Sequence, residues 1–461
     1  MSSLPSVCVI GAGQAGLTAC KALRDHGVPV QGFEISDRVG GNWAFQNPNG
    51  MSSAYRSLHI DTPKSRLAFK DLPMPAEWPD FLHHTLVYEY LCRYADTFGL
   101  REHIRFQTAV RHAERLPGGG WEVSVGPADS PHASERLRFD ALLVANGHHW
   151  NPRLPEPPFP GEFHGQTLHS HHYIDPYEPI DCRGKRVLVV GIGNSAADIA
   201  SELSHRAITA RTFLSTRSGA WVIPLVMFGQ PLTSLIRTLP YVPLKWQRRA
   251  AHWMVRLTVG DPRSYGLPMP DHRVLEAHPT ASNELLWRLR TGDLVAKPDV
   301  RGLEGDRVAF ADGSAEQIDV IIYATGYKIT FPFFEESFIS APENRLALFK
   351  RVFRPEYPDL AFIGLCQAIP TLFEFCELQS KWVASYLAGK YRLPAPAAMA
   401  AAIEHDERVQ TRHFTARPRH TMQADADVYA RDLRKEWTAG RRRAVALGPQ
   451  LRAASAQLAT A

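Results

Sequence analysis

What this chain has little of narrows its possibilities first. No uninterrupted apolar run reaches the roughly 20 residues that a membrane-spanning helix needs, so the sequence reads as carrying no stable membrane anchor. Cysteine is sparse: Cys8, Cys20, Cys92, Cys182, Cys366 and Cys376 are scattered without framework spacing. That excludes a disulfide scaffold and points to reduced thiols in a cytoplasmic protein. None of the six forms a C-x-x-C or C-x-x-x-x-C pair, so a dithiol redox centre is discounted. Charge of one sign is also lacking: 52 Lys and Arg against 47 Asp and Glu leave +5 over 461 residues. This is too little to suggest a nucleic-acid partner. Met1 runs almost directly into the first apolar run, which leaves no room for a signal peptide. His164, His169, His171 and His172 cluster, yet no cysteine or carboxylate completes a spaced ligand set, so no metal site is expected. The 44% hydrophobic content is ordinary for a globular protein with a sizeable core.

What is present is a strand, a glycine turn and a helix, twice. Residues 7–10 are an apolar run followed by Gly11, Gly13 and Gly16 as a full G-x-G-x-x-G. The helix runs to about Arg24, and a second strand from Val28 ends at Glu34, twenty-three residues after Gly11. Backbone N–H groups at such a turn cradle a pyrophosphate, the helix dipole favours its charge, and an acid at that distance accepts ribose hydroxyls. A carboxylate there repels a 2′-phosphate, so FAD and NAD both fit this site. The second copy runs from an apolar stretch at residues 187–190 into Gly191, Gly193 and Ala196, with Asn194 and Ser195 opening its helix. Counting twenty-three residues on from Gly191 reaches Leu214, followed by Ser215, Thr216 and Arg217 where an acid would otherwise close the strand. Hydroxyls and a guanidinium in place of a carboxylate favour a 2′-phosphate, hence NADPH over NADH.

The two units also end alike. Asp140 leads into an apolar strand and Ala145-Asn146-Gly147, and Asp319 into Ala324-Thr325-Gly326. The span from Gly11 to Gly147 is 136 residues and that from Gly191 to Gly326 is 135. Four features in the same order indicate a duplicated dinucleotide-binding fold with the second copy inserted into the first.

Ahead of the second loop, Phe163, Gly165, His169 and Tyr173 are spaced as F-x-G-x-x-x-H-x-x-x-Y. Gly40, Gly41, Asn42 and Trp43 read G-G-x-W, and Glu377, Leu378, Gln379 and Trp382 read E-L-Q-x-x-W. Together with the two glycine loops, this set resembles the flavin-containing monooxygenase family, specifically its N- and S-oxygenating branch in its bacterial type. Tyr173, which the resemblance makes a candidate catalytic residue alongside Asp61 and Thr62, stands where the related Baeyer–Villiger enzymes carry Trp, and Ile174 departs from the family's usual Lys or Arg. The resemblance implies an α/β protein with two Rossmann-like domains in a glutathione-reductase-like arrangement. Residues 1–168 and 326–461 would form the FAD-binding domain and residues 169–325 the NADPH-binding domain. Elimination and resemblance both assign FAD to the first site. The implied activity is an NADPH- and O2-dependent monooxygenase whose C4a-hydroperoxyflavin oxygenates a soft nucleophile, an amine nitrogen or a sulfide sulfur. The resemblance further places Gly41 and Trp43 beside the flavin, His169 in the linker that positions NADP, and Gln379 near the isoalloxazine.

One departure bears on chemistry. In much of the family an Asn helps hold NADP and the oxygenated flavin; the matching residue here is Asp61. Ionised, it repels a peroxide anion; protonated, it donates; otherwise Thr62 supplies the donor. An Asx-type turn before Pro63 is the plainer reading. Between residues 224 and 275 apolar and basic residues interleave, which suits two short helices serving as packing, a helical lid, or a membrane-leaning surface. His278, Pro279, Thr280 and Ser282 read as a turn capping a helix near Glu284. Three other readings stay open: ketone oxygenation on the same fold, an NADPH oxidase, and a nucleotide-binding protein without productive oxygenation. The residues leave a homodimer open and do not name the natural substrate.

Overall fold

Two apolar runs, Val7–Ile10 and Arg186–Val190, each become an interior strand of a mostly parallel sheet. Their near-continuous hydrophobicity follows from burial on both faces. Val7 and Val9 pack toward the helix Gln14–Asp25, while Cys8 and Ile10 meet Trp121 and Phe33 on the opposite side. Val187 and Val189 likewise face the helix Asn194–Leu203, and Leu188 and Val190 meet Val308 and Phe310. The computed structural model describes residues 4–130, 132–232, 244–274, 276–413 and 422–458.

The first sheet has the order Phe353–Arg354, Tyr357–Phe362, Ala141–Val144, Val7–Ile10, Val30–Phe33, Ile104–Arg105. Only its Phe353–Arg354 edge is antiparallel. The second sheet is wholly parallel, in the order Leu294–Lys297, Arg211–Ser215, Arg186–Val190, Val320–Tyr323, Gln166–His169. Each unit carries an antiparallel meander between its outer and exit strands: Thr108–Arg115, Trp121–Pro127 and Glu135–Phe139 in the first, Val300–Gly305, Arg307–Phe310 and Ala315–Gln317 in the second. The architecture is α/β with two Rossmann-like units, the second inserted into the first.

The acid ahead of each exit strand now has a physical reason. Asp140 Oδ2 accepts the backbone N–H of Ser6 at 2.7 Å, and Asp319 Oδ2 accepts that of Arg186 at 2.7 Å. Each carboxylate satisfies a donor where the central strand begins and so locks two neighbouring strands in register. Beyond the strands, Ala145 N–H donates to the Ile10 carbonyl and Ala324 N–H to that of Val190.

Register corrects one assignment made by counting. Gly11 N–H donates to the Phe33 carbonyl at 2.8 Å, and Gly191 N–H to the Ser215 carbonyl at 2.9 Å. Ser215 therefore matches Phe33, and Thr216, not Leu214, stands where Glu34 does. The connections differ in length: the first helix turns at Gly27 into the next strand, whereas residues 204–210 lead from the second helix to Arg211–Ser215.

Two strands that precede residue 169 belong to the second unit: Gly161–Phe163 pairs with Val300–Gly305 and Gln166–His169 with Val320–Tyr323. After Gly326 the chain rejoins the first unit, where the helix Phe373–Leu387 packs on Gln14–Asp25 and Ser380 Oγ lies 3.0 Å from Thr18 Oγ1. The tail folds back too: Gln423–Asp425 pairs with Gln367–Ile369, and buried Arg66 meets Asp427 at 3.1 Å. In the region expected to form a lid, the hairpin Val226–Met227/Gln230–Pro231 precedes the helix Leu244–Thr258. That helix packs through Ala251 and Val255 against Trp221 and Val274, and none of its described side chains lines the central cleft. Residues 233–243 and 275, part of the same expected lid, lie outside the described residues. Ser282 Oγ accepts the N–H of Leu285, so the expected cap sits at the start of Leu285–Thr291. Among the described residues no helix is long and apolar enough to cross a membrane.

Candidate active site

A cleft of about 2090 Å³ separates the two units, and both glycine loops open into it. In the first loop Gly11 has φ +102°, a left-handed backbone that a side chain resists, and an added Cβ would meet the Ala145 carbonyl oxygen at 2.6 Å. The helix Gln14–Asp25 starts at Gly13 with no side-chain cap and no acid in its first turn. Its unpaired N–H groups and dipole face the cleft, which is the donor set a pyrophosphate requires. Glu34 closes the cradle: it is buried, its Oε2 accepts the N–H of Ala12 at 2.6 Å and its Oε1 that of Ser36 at 2.8 Å. Burial pushes its carboxyl above the ordinary range while these two N–H bonds pull the other way. Gly41 packs on Gly13, and Gly41 and Trp43 form a tight turn on the cleft wall.

The second loop repeats the plan. Gly191 has φ +134°, and a Cβ there would meet the Ala324 carbonyl at 2.4 Å. The helix Asn194–Leu203 begins at Gly193, again uncapped and without an acid in its first turn. Gly193, Asn194, Ser195, Ala324, Thr325 and Gly326 all line the cleft. Ser215 and Thr216 line it as well, but their hydroxyl protons point elsewhere: Ser215 Oγ donates to the Pro298 carbonyl at 2.6 Å and Thr216 Oγ1 to that of Ser218 at 2.7 Å. The exposed guanidinium of Arg217, with no partner among the described residues, is left as the cationic donor at this end. The residues present therefore fit two dinucleotides, one with a free ribose diol and one with a 2′-phosphate.

Between the cradles, Asp61 and Thr62 reach the cleft from the first unit. Asn194 Nδ2 donates to Asp61 Oδ2 at 2.5 Å, and Asn194 Oδ1 accepts the N–H of Ala281 at 3.1 Å. Asp61 is thus tied to the first residue of the second loop's helix and is not a free surface Asx turn. The buried Thr62 hydroxyl donates to the Pro370 carbonyl at 2.8 Å, which commits the proton it was expected to offer.

Four expected residues do not line the cleft. Gly16 lies beneath the first loop, where a Cβ would sit 1.9 Å from the Gly11 carbonyl. Tyr173, read as a catalytic residue, is buried and donates to Glu202 Oε2 at 2.8 Å. His169 is buried under Tyr327, its Nδ1 accepts the N–H of His171 at 3.1 Å, and burial holds its ring down at about 4. Gln379 is fully buried; its Oε1 accepts the N–H of Gly364 at 2.9 Å and its Nε2 donates to Tyr429 at 3.0 Å. It steadies Ile363, Gly364 and Cys366, which do line the cleft.

Cleft residues that sequence reasoning passed over include His148, Trp150, Tyr327, Asp198 and Glu202. The first three lie within three residues of the two Ala-x-Gly exits, and that position was the available signal. Asp198 and Glu202 lie one and two turns beyond Asn194 on the same helix face.

A family model described as flavin-binding monooxygenase-like matches residues 5–442. Rat dimethylaniline monooxygenase [N-oxide-forming] 2 is 39% identical over 420 residues, covering 86% of this chain and 76% of that protein. Human flavin-containing monooxygenase 5 is 36% identical, covering 91% and 80%. Among solved structures, S-allyl-L-cysteine S-oxygenase from Allium sativum has a TM-score of 0.69 at 25% identity, covering 94% of this chain and 88% of that one. NADP+-bound cyclohexanone monooxygenase from Rhodococcus sp. Phi1, at 20% identity and a TM-score of 0.70, covers 96% and 99% and shares the fold.

Proposed function

This chain belongs to the flavin-binding monooxygenase-like family, and from that premise we propose that it oxygenates the nitrogen of an amine or the sulfur of a sulfide. The enzyme is a flavin-dependent monooxygenase that uses FAD and NADPH. One observation supports the assignment of residues: two uncapped helix N-termini, one from each unit, open into a single cleft. Gly11, Gly13, Glu34, Gly41 and Trp43 would hold FAD. Gly191, Gly193, Asn194, Ser195, Thr216, Arg217, Ala324, Thr325 and Gly326 would hold NADPH. When bound, the two cofactors supply the electrons that activate O2 and pass one of its atoms to the substrate.

The chain's own residues supply position and electrostatics. Glu34, its two oxygens each fixed by a backbone N–H, presents its remaining lone pairs to a ribose diol and repels a 2′-phosphate. Arg217 does the reverse at the other end of the cleft. Asn194, anchored by Ala281, orients the Asp61 carboxylate across the gap between the loops. The soft-nucleophile reading draws on two similar proteins whose names carry N-oxide formation and S-oxygenation. Residues 1–168 with 326–461, and 169–325, are our division into FAD and NADPH domains, although the strands Gly161–Phe163 and Gln166–His169 pair with the second unit. Six free thiols, five of them buried, suit a cytoplasmic enzyme.

Incubating the purified enzyme with NADPH, O2 and, in turn, N,N-dimethylaniline, a dialkyl sulfide and a cyclic ketone tests the proposal. N-oxide or sulfoxide in step with NADPH oxidation is expected. Lactone without N- or S-oxide would replace the proposal with the ketone reading, and peroxide equal to NADPH with every compound would replace it with an oxidase.

A further inference from the structure

Of three side chains on one face of the second loop's helix, two reach out of their own unit. Asn194, Asp198 and Glu202 are spaced four residues apart, one above another. Asn194 donates to Asp61; Asp198 Oδ2 accepts from the Tyr55 hydroxyl at 2.5 Å; Glu202 Oε2 accepts from the Tyr173 hydroxyl at 2.8 Å. Tyr55 and Asp61 come from the first unit, whereas Tyr173 lies between Gln166–His169 and Arg186–Val190, two strands of the second sheet. The two tyrosines are buried, and their rings meet edge to face with centroids 6.1 Å apart. Two carboxylates are thereby held at the cleft wall by tyrosines, a costly arrangement unless the bonds are kept.

We propose that Tyr55 and Asp198 are positioning residues whose hydrogen bond docks the NADPH-cradling helix onto the first unit and so sets the distance over which hydride passes to the flavin. The inference rests on the assignment of NADPH and FAD to the two cradles. The bond is strongest when Asp198 is ionised, because the hydroxyl then donates to a full negative charge. Its surroundings oppose that state. Burial comes first, then the carboxylates of Asp61 from the first unit, Glu202 from the same helix and Glu284 ahead of the next helix, and together they push Asp198 up to about 7. The Tyr55 hydroxyl works in the opposite direction. Docking therefore tightens as pH rises through neutrality.

Anaerobic stopped-flow reduction of the FAD-loaded enzyme by saturating NADPH, from pH 5.5 to 8.5, tests this. In the natural enzyme the limiting reduction rate should rise with pH and level off above an inflection near 7. Tyr55→Phe should lower the plateau by ~10-fold or more and flatten the profile, because without the hydroxyl the ionisation of Asp198 no longer strengthens docking, while NADPH affinity and flavin content stay near their original values. Asp198→Asn should abolish the inflection, leaving a flat, low rate. If Tyr55→Phe folds poorly, Asp198→Asn alone carries the test, since a flat profile cannot arise from packing loss. Unchanged rates and profiles in both variants would overturn the inference and leave the cofactor assignment standing. Failure of NADPH to reduce the natural enzyme at any pH would overturn both.

Discussion

The two nucleotide cradles were built from one plan, and their differences are confined to a few positions. Both have the apolar interior strand, the positive-φ glycine against the Ala-x-Gly exit, the acid that locks the strand start, and an uncapped helix. They part at the third small residue of the loop, Gly16 against Ala196, and at the end of the second strand, Glu34 against Thr216 followed by Arg217. The first difference concerns how closely the helix approaches the loop. The second concerns the sign of charge offered to a ribose. In the proposed reading the shared positions make a dinucleotide site, and the divergent ones choose which dinucleotide.

The largest effect should come from exchanging the small residues. Gly16→Ala places a methyl 1.9 Å from the Gly11 carbonyl, a backbone atom with no room to yield. A loss of about 3 kcal/mol and of bound flavin is expected, read by thermal denaturation and by the 450-nm absorbance of the purified protein. Ala196→Gly, the mirror change, should cost only about 1 kcal/mol through helix propensity and leave flavin content intact. Equal losses in the two variants would mean that the helices approach their loops equally closely, against the geometry.

A smaller effect is expected at the strand ends. Arg217→Ala removes a charge-assisted donor and should reduce kcat/KM for NADPH by ~10- to 100-fold with little change for NADH. Thr216→Glu puts into the second cradle the carboxylate that Glu34 supplies in the first, and should turn the preference toward NADH. An unaltered NADPH-to-NADH ratio in both variants would separate the Arg217 end of the cleft from the 2′-phosphate.

The shared plan was legible in the sequence because it is local. Strand, glycine turn, helix and acid each announce themselves within a dozen residues, and the order repeats. What escaped depends on partners far along the chain. Counting placed Leu214 opposite Glu34, because the residues that link a helix to its next strand vary freely in number and only the ladder shows which carbonyl receives the Gly191 N–H. Tyr173 and Gln379 were visible as motif members, yet their roles are set by Glu202 and by Gly364 with Tyr429. Asp198 carried no signal at all, since its meaning comes from Tyr55, 143 residues away. The hydroxyls of Ser215 and Thr216 donate to the Pro298 and Ser218 carbonyls, which the sequence does not show, because a hydroxyl's direction belongs to the carbonyls around it.

The smallest effect, and the one that joins the two cradles, lies at Asp61. It accepts from Asn194 with one oxygen and faces Thr62 with the other, and the Thr62 proton is given to Pro370. As a carboxylate it has no proton to offer the cleft. Asp61→Asn keeps an acceptor for Asn194 and turns the other half of the group into an N–H donor at the place where the two units meet. Hydrogen peroxide released per NADPH consumed, measured without substrate, should then fall by ~2- to 5-fold, a change below about 1 kcal/mol in the competing barriers. Flavin content should be unaltered, because neither first-cradle glycine nor Glu34 touches this bond. An identical leak would show that Asp61 serves only to orient Asn194, and the contrast between the cradles would then rest on Gly16, Glu34, Thr216 and Arg217.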